Sequence, residues 1–321
     1  MAVTDDIVAT APLGVTSPLR TPNKQPMTKN VANVVLGNLH ITPWFPSFYP
    51  EDLVGGRKTD WLYVCQWCFK YTPEIMKYSA HCKVCPMKHE APYGEVIYEQ
   101  DEFVIHKVDG EEYKLYCQNL SLFAKLFLET KSVFFDASTF LYYTLVLKSA
   151  NAVERPYGQV AGFFSKEKMS WDNNNLACIL IFPPYQRRGL GQVLMSASYV
   201  LGKREGRFGG PERPLSTLGR KGYLTYWCGE VARYILGCSK QKTVSIKEVS
   251  EDTWIMTDDV VAALKEMDVL ENRKTASGSI VVNKSKVRAW AEKNKISLES
   301  VVDVEAFVEE EGSSLSEEME E

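Results

Sequence analysis

Apolar positions along the chain alternate and cluster in ways that predict most of its elements. Val34-Val35-Leu36-Gly37 is a short strand-like run, and order is expected to begin near it. Glu95–Glu99, Phe103–Val108, Phe140–Leu147 and Gln159–Ser165 carry the β-branched and aromatic content of strands. Between the second and third of these, Leu115, Leu122, Leu126 and Phe127 recur at the spacing of an amphipathic helix over Leu115–Glu129. Leu176–Phe182 is a continuous apolar run stopped by Pro183-Pro184, the pattern of a buried strand with a sharp end. Gly189-Leu190-Gly191 then opens a helical stretch over Val193–Leu201. A loop, Gly206–Pro214, separates it from a helix running from about Ser216 to Leu236. Past Gly237 the pattern changes to two short helices, Ser245–Glu251 and Thr257–Glu266, each with a Ser or Thr placed to cap it. A strand at Ser279–Val282 and a helix at Lys284–Lys293 follow, so this unit reads as helix-turn-helix-like, a packing subdomain or a DNA reader.

The ends differ from the middle. Residues 1 to about 32 are rich in Thr, Pro, Asn and Lys with weak periodicity, and are expected to form a flexible arm. Asp5, Asp6 and the prolines leave no room there for the apolar segment of a signal peptide. Glu299 to Glu321 holds ten acidic residues and no Lys or Arg. It has too few apolar residues to be expected to pack. With 321 residues at net −4, a tail of −10 leaves +6 on the body, a sign that suits an anionic ligand. No stretch approaches the ~20 apolar residues of a membrane span. The 45% hydrophobic content excludes wholesale disorder.

Eight cysteines would be a disulfide framework only in a short secreted chain, so their clustering points to a metal in a reducing compartment. Cys65-x-x-Cys68, twelve residues, His81, three residues and Cys85 give four soft or borderline ligands at finger-like spacing. A CxxC turn brings two sulfurs to one ion, and an HxxxC pair lies on one face of a helical turn. Four protein ligands complete a tetrahedral Zn²⁺ and leave no position for chemistry, so the zinc is structural. Cys82 is a bystander, and His89 would replace His81 only through a longer loop. The aromatic set Trp61, Tyr63, Trp67, Phe69 and Tyr71 is expected to pack this finger against its neighbour.

Gln186-Arg187-Arg188-Gly189-Leu190-Gly191 lies between the apolar strand and a helix. Glycines there let backbone N–H groups approach an anion, and the helix N-terminus adds positive potential. It is not a Walker loop, having no following GK[ST]. Strand, proline stop, turn and helix in this order match the pyrophosphate cradle of coenzyme A-dependent N-acetyltransferases.

From about Val34 to Leu236, and more weakly to Trp290, the chain resembles the MYST histone acetyltransferases. The resemblance is carried by Tyr63–Tyr71 with His81 and Cys85, by Tyr116–Leu120 running to Phe127–Lys131, by Asn175–Leu180, by Pro183–Gly191 and by Pro211–Gly219. The short arm and lack of a chromo-like domain look most like the fungal silencing-type members. The resemblance implies a mixed α/β (α+β) fold. Its parts would be an arm (1–32), a zinc-finger subdomain (33–94), an acetyl-CoA-binding core (95–236), a helical, winged-helix-like subdomain (237–298) and an acidic tail (299–321). It further implies a nuclear enzyme that acetylates a histone tail, with histone H4 favoured, inside a small complex and with possible contact to nucleosomal DNA. The alternatives are a non-enzymatic chromatin adaptor with a degenerate core, or an acetyltransferase for other proteins.

Roles follow residue by residue. Glu212, in a Gly-Pro-rich loop before a helix, is a general base or a carboxylate complementing the helix dipole; the family favours the base. Cys178 is a core residue on its own, but matches the family's active-site cysteine. Ile179, Leu180 and Ile181 would offer backbone groups to the acetyl-pantetheine arm, as an added strand does. Gln186, Arg187, Arg188, Gly189, Leu190, Gly191 and Gln192 would cradle the pyrophosphate. Ser216 is an N-cap or a cofactor contact, the family favouring contact. Lys131 is either a dipole-pairing lysine or the family's autoacetylated lysine. The chain departs from the family at Ile181, Thr217 and Gln192, where Thr, Asp and Lys are usual.

Overall fold

A computed structural model of the protein describes residues 29–54, 59–100, 102–131, 135–148, 157–238, 245–274 and 280–308. In chain order the elements are β1 (Val31–Leu36), β2 (Leu39–Ile41), α1 (Glu51–Val54), β3 (Thr59–Val64), β4 (Tyr71–Thr72), α2 (Ile75–Val84), β5 (Glu95–Glu99), β6 (Phe103–Asp109), α3 (Lys114–Lys125), β7 (Phe140–Leu147), β8 (Gln159–Glu167) and β9 (Cys178–Ile181). Then come α4 (Leu190–Arg204), α5 (Thr217–Gly237), α6 (Ile246–Thr253), α7 (Thr257–Glu266), β10 (Leu270–Lys274), β11 (Ile280–Val282) and α8 (Lys284–Lys293). The fold is mixed α/β, as the resemblance implies.

The central sheet is antiparallel in the order β5-β6-β7-β8-β9. Both of its faces are covered. Tyr143, Leu145 and Phe164 face one core with α4, α5, α7 and α8; Tyr142, Val146 and Phe163 face a second core with α3 and the N-terminal sheet β2-β1-β3-β4. That double burial explains why the strands read as apolar runs instead of strict alternation.

α3 departs from expectation for the same reason. It is not amphipathic: lying between two sheets, it buries Tyr116, Cys117 and everything from Asn119 to Lys125, while Leu115 stays 70% exposed. The helix also ends earlier than its apolar spacing predicts, at Lys125, whose Nζ donates to the carbonyls of Leu128 and Glu129.

β9 is likewise a correction to the buried-strand reading. It spans Cys178–Ile181 and is the edge of the sheet, paired only with β8. Its apolar side chains meet the cores above and below it, but its outer row of N–H and C=O groups lies free of sheet pairing.

In the C-terminal unit, a capping box at Ser245 and Glu248 starts α6. α7 is capped by no side chain: Met256 holds the N-cap position, and Thr257 turns its hydroxyl to Ser250 instead. The β10–β11 hairpin before α8 supplies the wing; β10 is not predicted by its sequence, Leu-Glu-Asn-Arg-Lys, in which one apolar residue stands.

Both chain ends hold surprises. Val31, expected in the arm, is fully buried in β1 and pairs with Thr59; the arm up to residue 28 lies outside the described residues. The first part of the acidic tail packs. Val302 and Phe307 are buried, Phe307 sits 4.5 Å from the Tyr98 ring, and the Val308 N–H donates to Ile97, so this strap covers the outer edge of β5. Arg204 at the end of α4 holds it, donating to the carbonyls of Val304 and Val308 with its guanidinium over Phe307. Two well-placed apolar side chains suffice where average composition argues against packing. Residues 309–321 lie outside the described set.

Phe307→Ala should therefore cost about 3–5 kcal/mol of stability, the usual range for a buried Phe. Removing residues 299–321 should lower the melting temperature clearly, whereas removing only 309–321, which takes away none of these contacts, should leave it near wild type. Thermal melts of the three variants check this.

Candidate active site and metal centre

β3 ends at Val64, and the next six residues form a tight turn in which the Cys65 N–H donates to the Lys70 carbonyl and the Phe69 N–H to the Cys65 carbonyl. Cys65 and Cys68 sit on this turn. His81 lies in the last turn of α2 and Cys85 caps that helix, so the HxxxC pair is on one helical face, as its spacing predicts. The four donor atoms lie within 4.8 Å of one another. The Cys65–Cys85 sulfurs are 3.8 Å apart and the Cys68 sulfur is 3.3 Å from His81 Nε2. A tetrahedron with Zn–S bonds of ~2.3 Å has an S–S edge of about 3.8 Å, the Cys65–Cys85 separation, so the four donors suit a tetrahedral Zn²⁺. Neither Cys82 nor His89 joins it.

Phe69, directly after Cys68, takes a left-handed backbone (φ 59°) and is fully buried. Its ring lies 5.6 Å from Tyr116, 5.8 Å from Phe123 and 5.8 Å from Phe182, joining the metal turn to α3 and to the end of β9. Of the finger aromatics, Phe69 thus makes the predicted packing. Trp61 stays 43% exposed beside His40.

Beyond Phe182 the prolines stop the strand in a single 3₁₀ turn, Pro183–Tyr185. Gln186 folds back, its side-chain amide donating to the Ile181 carbonyl at 2.8 Å. Arg187 (φ 63°) and Gly189 (φ 80°) both have left-handed backbones, and Gly189 is the N-cap of α4. A Cβ at Gly189 would meet no atom within 4 Å, so glycine serves the conformation there, not a close contact. Arg187 and Arg188 are exposed and make no ion pair among the described residues. Leu190 is buried and anchors the helix; Gly191 lies over Ile181. The result is an open, positively charged turn at a helix N-terminus, continuous with the free edge of β9. Gln192 points elsewhere, donating to the Gly222 carbonyl of α5. Ser216 is the N-cap of α5, accepting from the Gly219 N–H at 3.0 Å.

The other side of β9 is approached by the loop carrying Glu212. Leu176 and Pro211 form an isolated parallel bridge, the Glu212 N–H donates to the Leu176 carbonyl, and the Asn175 N–H to that of Gly210. Gly209 lies so close that a Cβ would stand 1.8 Å from the Asn173 carbonyl oxygen. Glu212 is thereby held beside the residues that lead into Cys178, which begins β9 half-buried instead of lying mid-strand. The Glu212 side chain is open to solvent, yet desolvation by the loop and the Glu167 carboxylate at the end of β8 push its pKa above the ordinary carboxylate range. Lys131 pulls it back. Lys131 is only 6% exposed. Since α3 ends at Lys125 and Lys125 takes the carbonyls beyond it, Lys131 is not the dipole-pairing lysine. It sits where it influences both Glu212 and the α3 thiol of Cys117. Tyr142 is buried and hydrogen-bonded to Ser121 of α3. Glu167 is not among the predicted site residues: the strand reading stops at Ser165, two residues short.

The profile of the MYST family zinc finger domain matches residues 28–85, and that of the MOZ/SAS family matches residues 91–307. The chain is similar to "Histone acetyltransferase MOF" of Drosophila melanogaster, 37% identical over 257 residues, 80% of this chain and 30% of the relative. It is 40% identical over 248 residues to "Putative MYST-like histone acetyltransferase 1" of Oryza sativa subsp. japonica, covering 77% and 52%. It is 31% identical over 283 residues to "Histone acetyltransferase ESA1" of Gibberella zeae, covering 88% and 54%. The chain thus spans between about a third and just over half the length of these relatives.

Two measurements test the geometry. Cys65→Ser should bind less than one equivalent of zinc and melt earlier, because an incomplete tetrahedron releases Phe69 as well as the ion; metal analysis and a thermal melt read both. Glu167→Gln removes a negative neighbour, so the Glu212 pKa should fall, as an NMR titration of its carboxyl would read. Lys131→Gln removes a positive neighbour and should raise the Glu212 pKa in the same titration.

Proposed function

The chain belongs to the MYST family, and from that membership we propose that it is a nuclear histone lysine acetyltransferase using acetyl-CoA and a structural Zn²⁺. One observation carries the reading: a free sheet edge, Cys178–Ile181, runs into an anion-binding turn at a helix N-terminus, with a carboxylate of raised pKa tied alongside by the Leu176–Pro211 bridge. An adaptor with a degenerate core would have no need to keep all three.

Acetyl-CoA supplies the activated acyl group as a thioester. The backbone of Ile179, Leu180 and Ile181 pairs with its pantetheine arm, and the N–H groups from Gln186 to Gly191, with Arg187 and Arg188, neutralise the pyrophosphate. Ser216 and Gln192 contribute less than the resemblance implies, since each is already committed within the protein. The substrate lysine, with an ordinary pKa of ~10.4, is neutral in only about one molecule in 2500 at pH 7. Glu212 takes its proton, so that the free amine attacks the thioester carbonyl directly and the thiolate leaves. A carboxylate with a raised pKa is the better acceptor, and the solvent-open position suits a group that meets an incoming side chain. Cys178 packs beside the reacting acyl group. Lys131, buried close to the base, is the site of autoacetylation; neutralising it removes a charge that is costly to bury.

The substrate is a histone tail, with histone H4 favoured, met within a small complex of regulatory subunits like those of the fungal silencing-type members. α8, which carries Arg288 and Lys293 on exposed positions, offers a basic face to nucleosomal DNA. Incubation with labelled acetyl-CoA and the separated histones tests the assignment, and label on no histone would overturn it.

Two variants resolve the mechanism. Glu212→Gln keeps the shape but accepts no proton, so the rate at pH 7 should fall by ~10²–10⁴ and partly recover as pH rises and the lysine deprotonates unaided. Cys178→Ala should cost far less. Rapid-quench trapping with both checks this: a stoichiometric acetyl-Cys178 that is competent to transfer would replace direct attack with a covalent route.

A further inference from the structure

The loop that carries Glu212 is held from two sides. One is the start of β9, described above. The other is the C-terminal unit, through Asp259 in the first turn of α7. Asp259 is 2% exposed. Its Oδ1 accepts from Arg213, the residue next to Glu212, and the Arg213 guanidinium lies 5.9 Å from the Trp227 ring of α5. The pair is asymmetric: the Arg213 side chain is 55% exposed and the Asp259 side chain 3%. Asp259 Oδ2 has no hydrogen-bonding partner among the described residues. It also lines the floor under the loop: a Cβ on Gly210 would come within 3.5 Å of Oδ2 and 3.9 Å of the Tyr199 hydroxyl. Tyr199 accepts from Trp227 Nε1 at 2.8 Å, and the buried Asn175 Oδ1 and Tyr223 hydroxyl also lack partners there.

A carboxylate this deep is costly unless a charge answers it. Only one of its oxygens is answered, by a residue on the exposed side of the contact. The protein has kept an expensive group where an apolar residue would pack, and the gain goes to the backbone position of residue 213. Pinning residue 213 from α7 and residue 212 from Leu176 fixes the peptide that bears the Glu212 side chain. A displacement of the order of 1 Å at a reacting group costs up to ~10²-fold in rate.

We propose that Asp259, acting through Arg213, is a positioning residue for Glu212, so that the C-terminal unit sets the geometry of proton removal. This rests on Glu212 being the base.

The test measures kcat and the KM for acetyl-CoA in the full chain with Asp259→Asn, Arg213→Gln, the double variant, Arg213→Lys and Glu212→Gln. Asp259→Asn and Arg213→Gln should each lower kcat by about 10- to 100-fold and leave the KM for acetyl-CoA within twofold, since the cofactor turn lies across β9. The double variant should be no worse than the poorer single, because both remove one contact. Arg213→Lys should recover most of the rate. Unchanged KM also shows that each variant is folded. If Glu212→Gln is inactive while Asp259→Asn and Arg213→Gln turn over at the wild-type rate, or if their losses multiply in the double variant, the positioning role is wrong and the base stands. If Glu212→Gln keeps wild-type activity, the base assignment fails, and this inference with it.

Discussion

The interaction on which the rest of this molecule depends is the insertion of one ring. Phe69 follows the second zinc ligand, and the metal turn forces its backbone into a left-handed conformation that a bulky residue adopts only under constraint. The constraint aims the ring into the space between Tyr116, Phe123 and Phe182. Burying a Phe side chain is worth about 1.5–3 kcal/mol in transfer terms, and three aromatic neighbours add to that. Phe182 is the last residue before the proline stop, so the metal turn, the ring and the arginine-bearing turn after β9 form one mechanical series. The finger is therefore part of the wall of the site and not an appendage.

The site itself divides between the two cores. The zinc-braced side delivers α3, the buried Lys131 and the end of β9. The helical side delivers α4 under the anion turn and α7 under the base loop. β9 is the seam, with both faces covered and its edge left free. Charge is distributed along the same line: arginines gather at the open turn, whereas the carboxylates of Glu167 and Glu212 stand at the opposite end with one lysine between opposing demands. Under the proposed function, an anionic cofactor and a cationic side chain would be drawn to different ends of one strand by this arrangement.

Much of this was legible in the residues, and the exceptions share a cause. β7, α7 and α8 lie where periodicity puts them, and the four metal ligands follow from spacing alone, because local geometry dictates both. The misreadings concern what covers an element. α3 reads as amphipathic from its leucines, but a second sheet, β2-β1-β3-β4, buries its remaining faces. β9 reads as an interior strand because side chains record which faces are covered and say nothing of an unpaired backbone edge. Ser216 and Thr257 look equivalent as caps, yet only the first caps a helix, since Ser250 draws the Thr257 hydroxyl away. Glu167 and Asp259 escape notice because their meaning lies in residues some 45 positions away, Glu212 for one and Arg213 for the other.

The strap over β5 has a consequence for how the protein is made. The Asp303 N–H that donates to the Tyr98 hydroxyl is 205 residues downstream of it. At ribosomal speeds of about 5–20 residues per second, β5 waits roughly 10–40 s for its cover to be synthesised. Throughout that interval a nascent sheet edge bearing Ile97 and Tyr98 is open to other strands. Folding of the domain is thus gated by translation as far as the strap, and a message that ends before it releases a chain whose exposed edge marks it as unfinished.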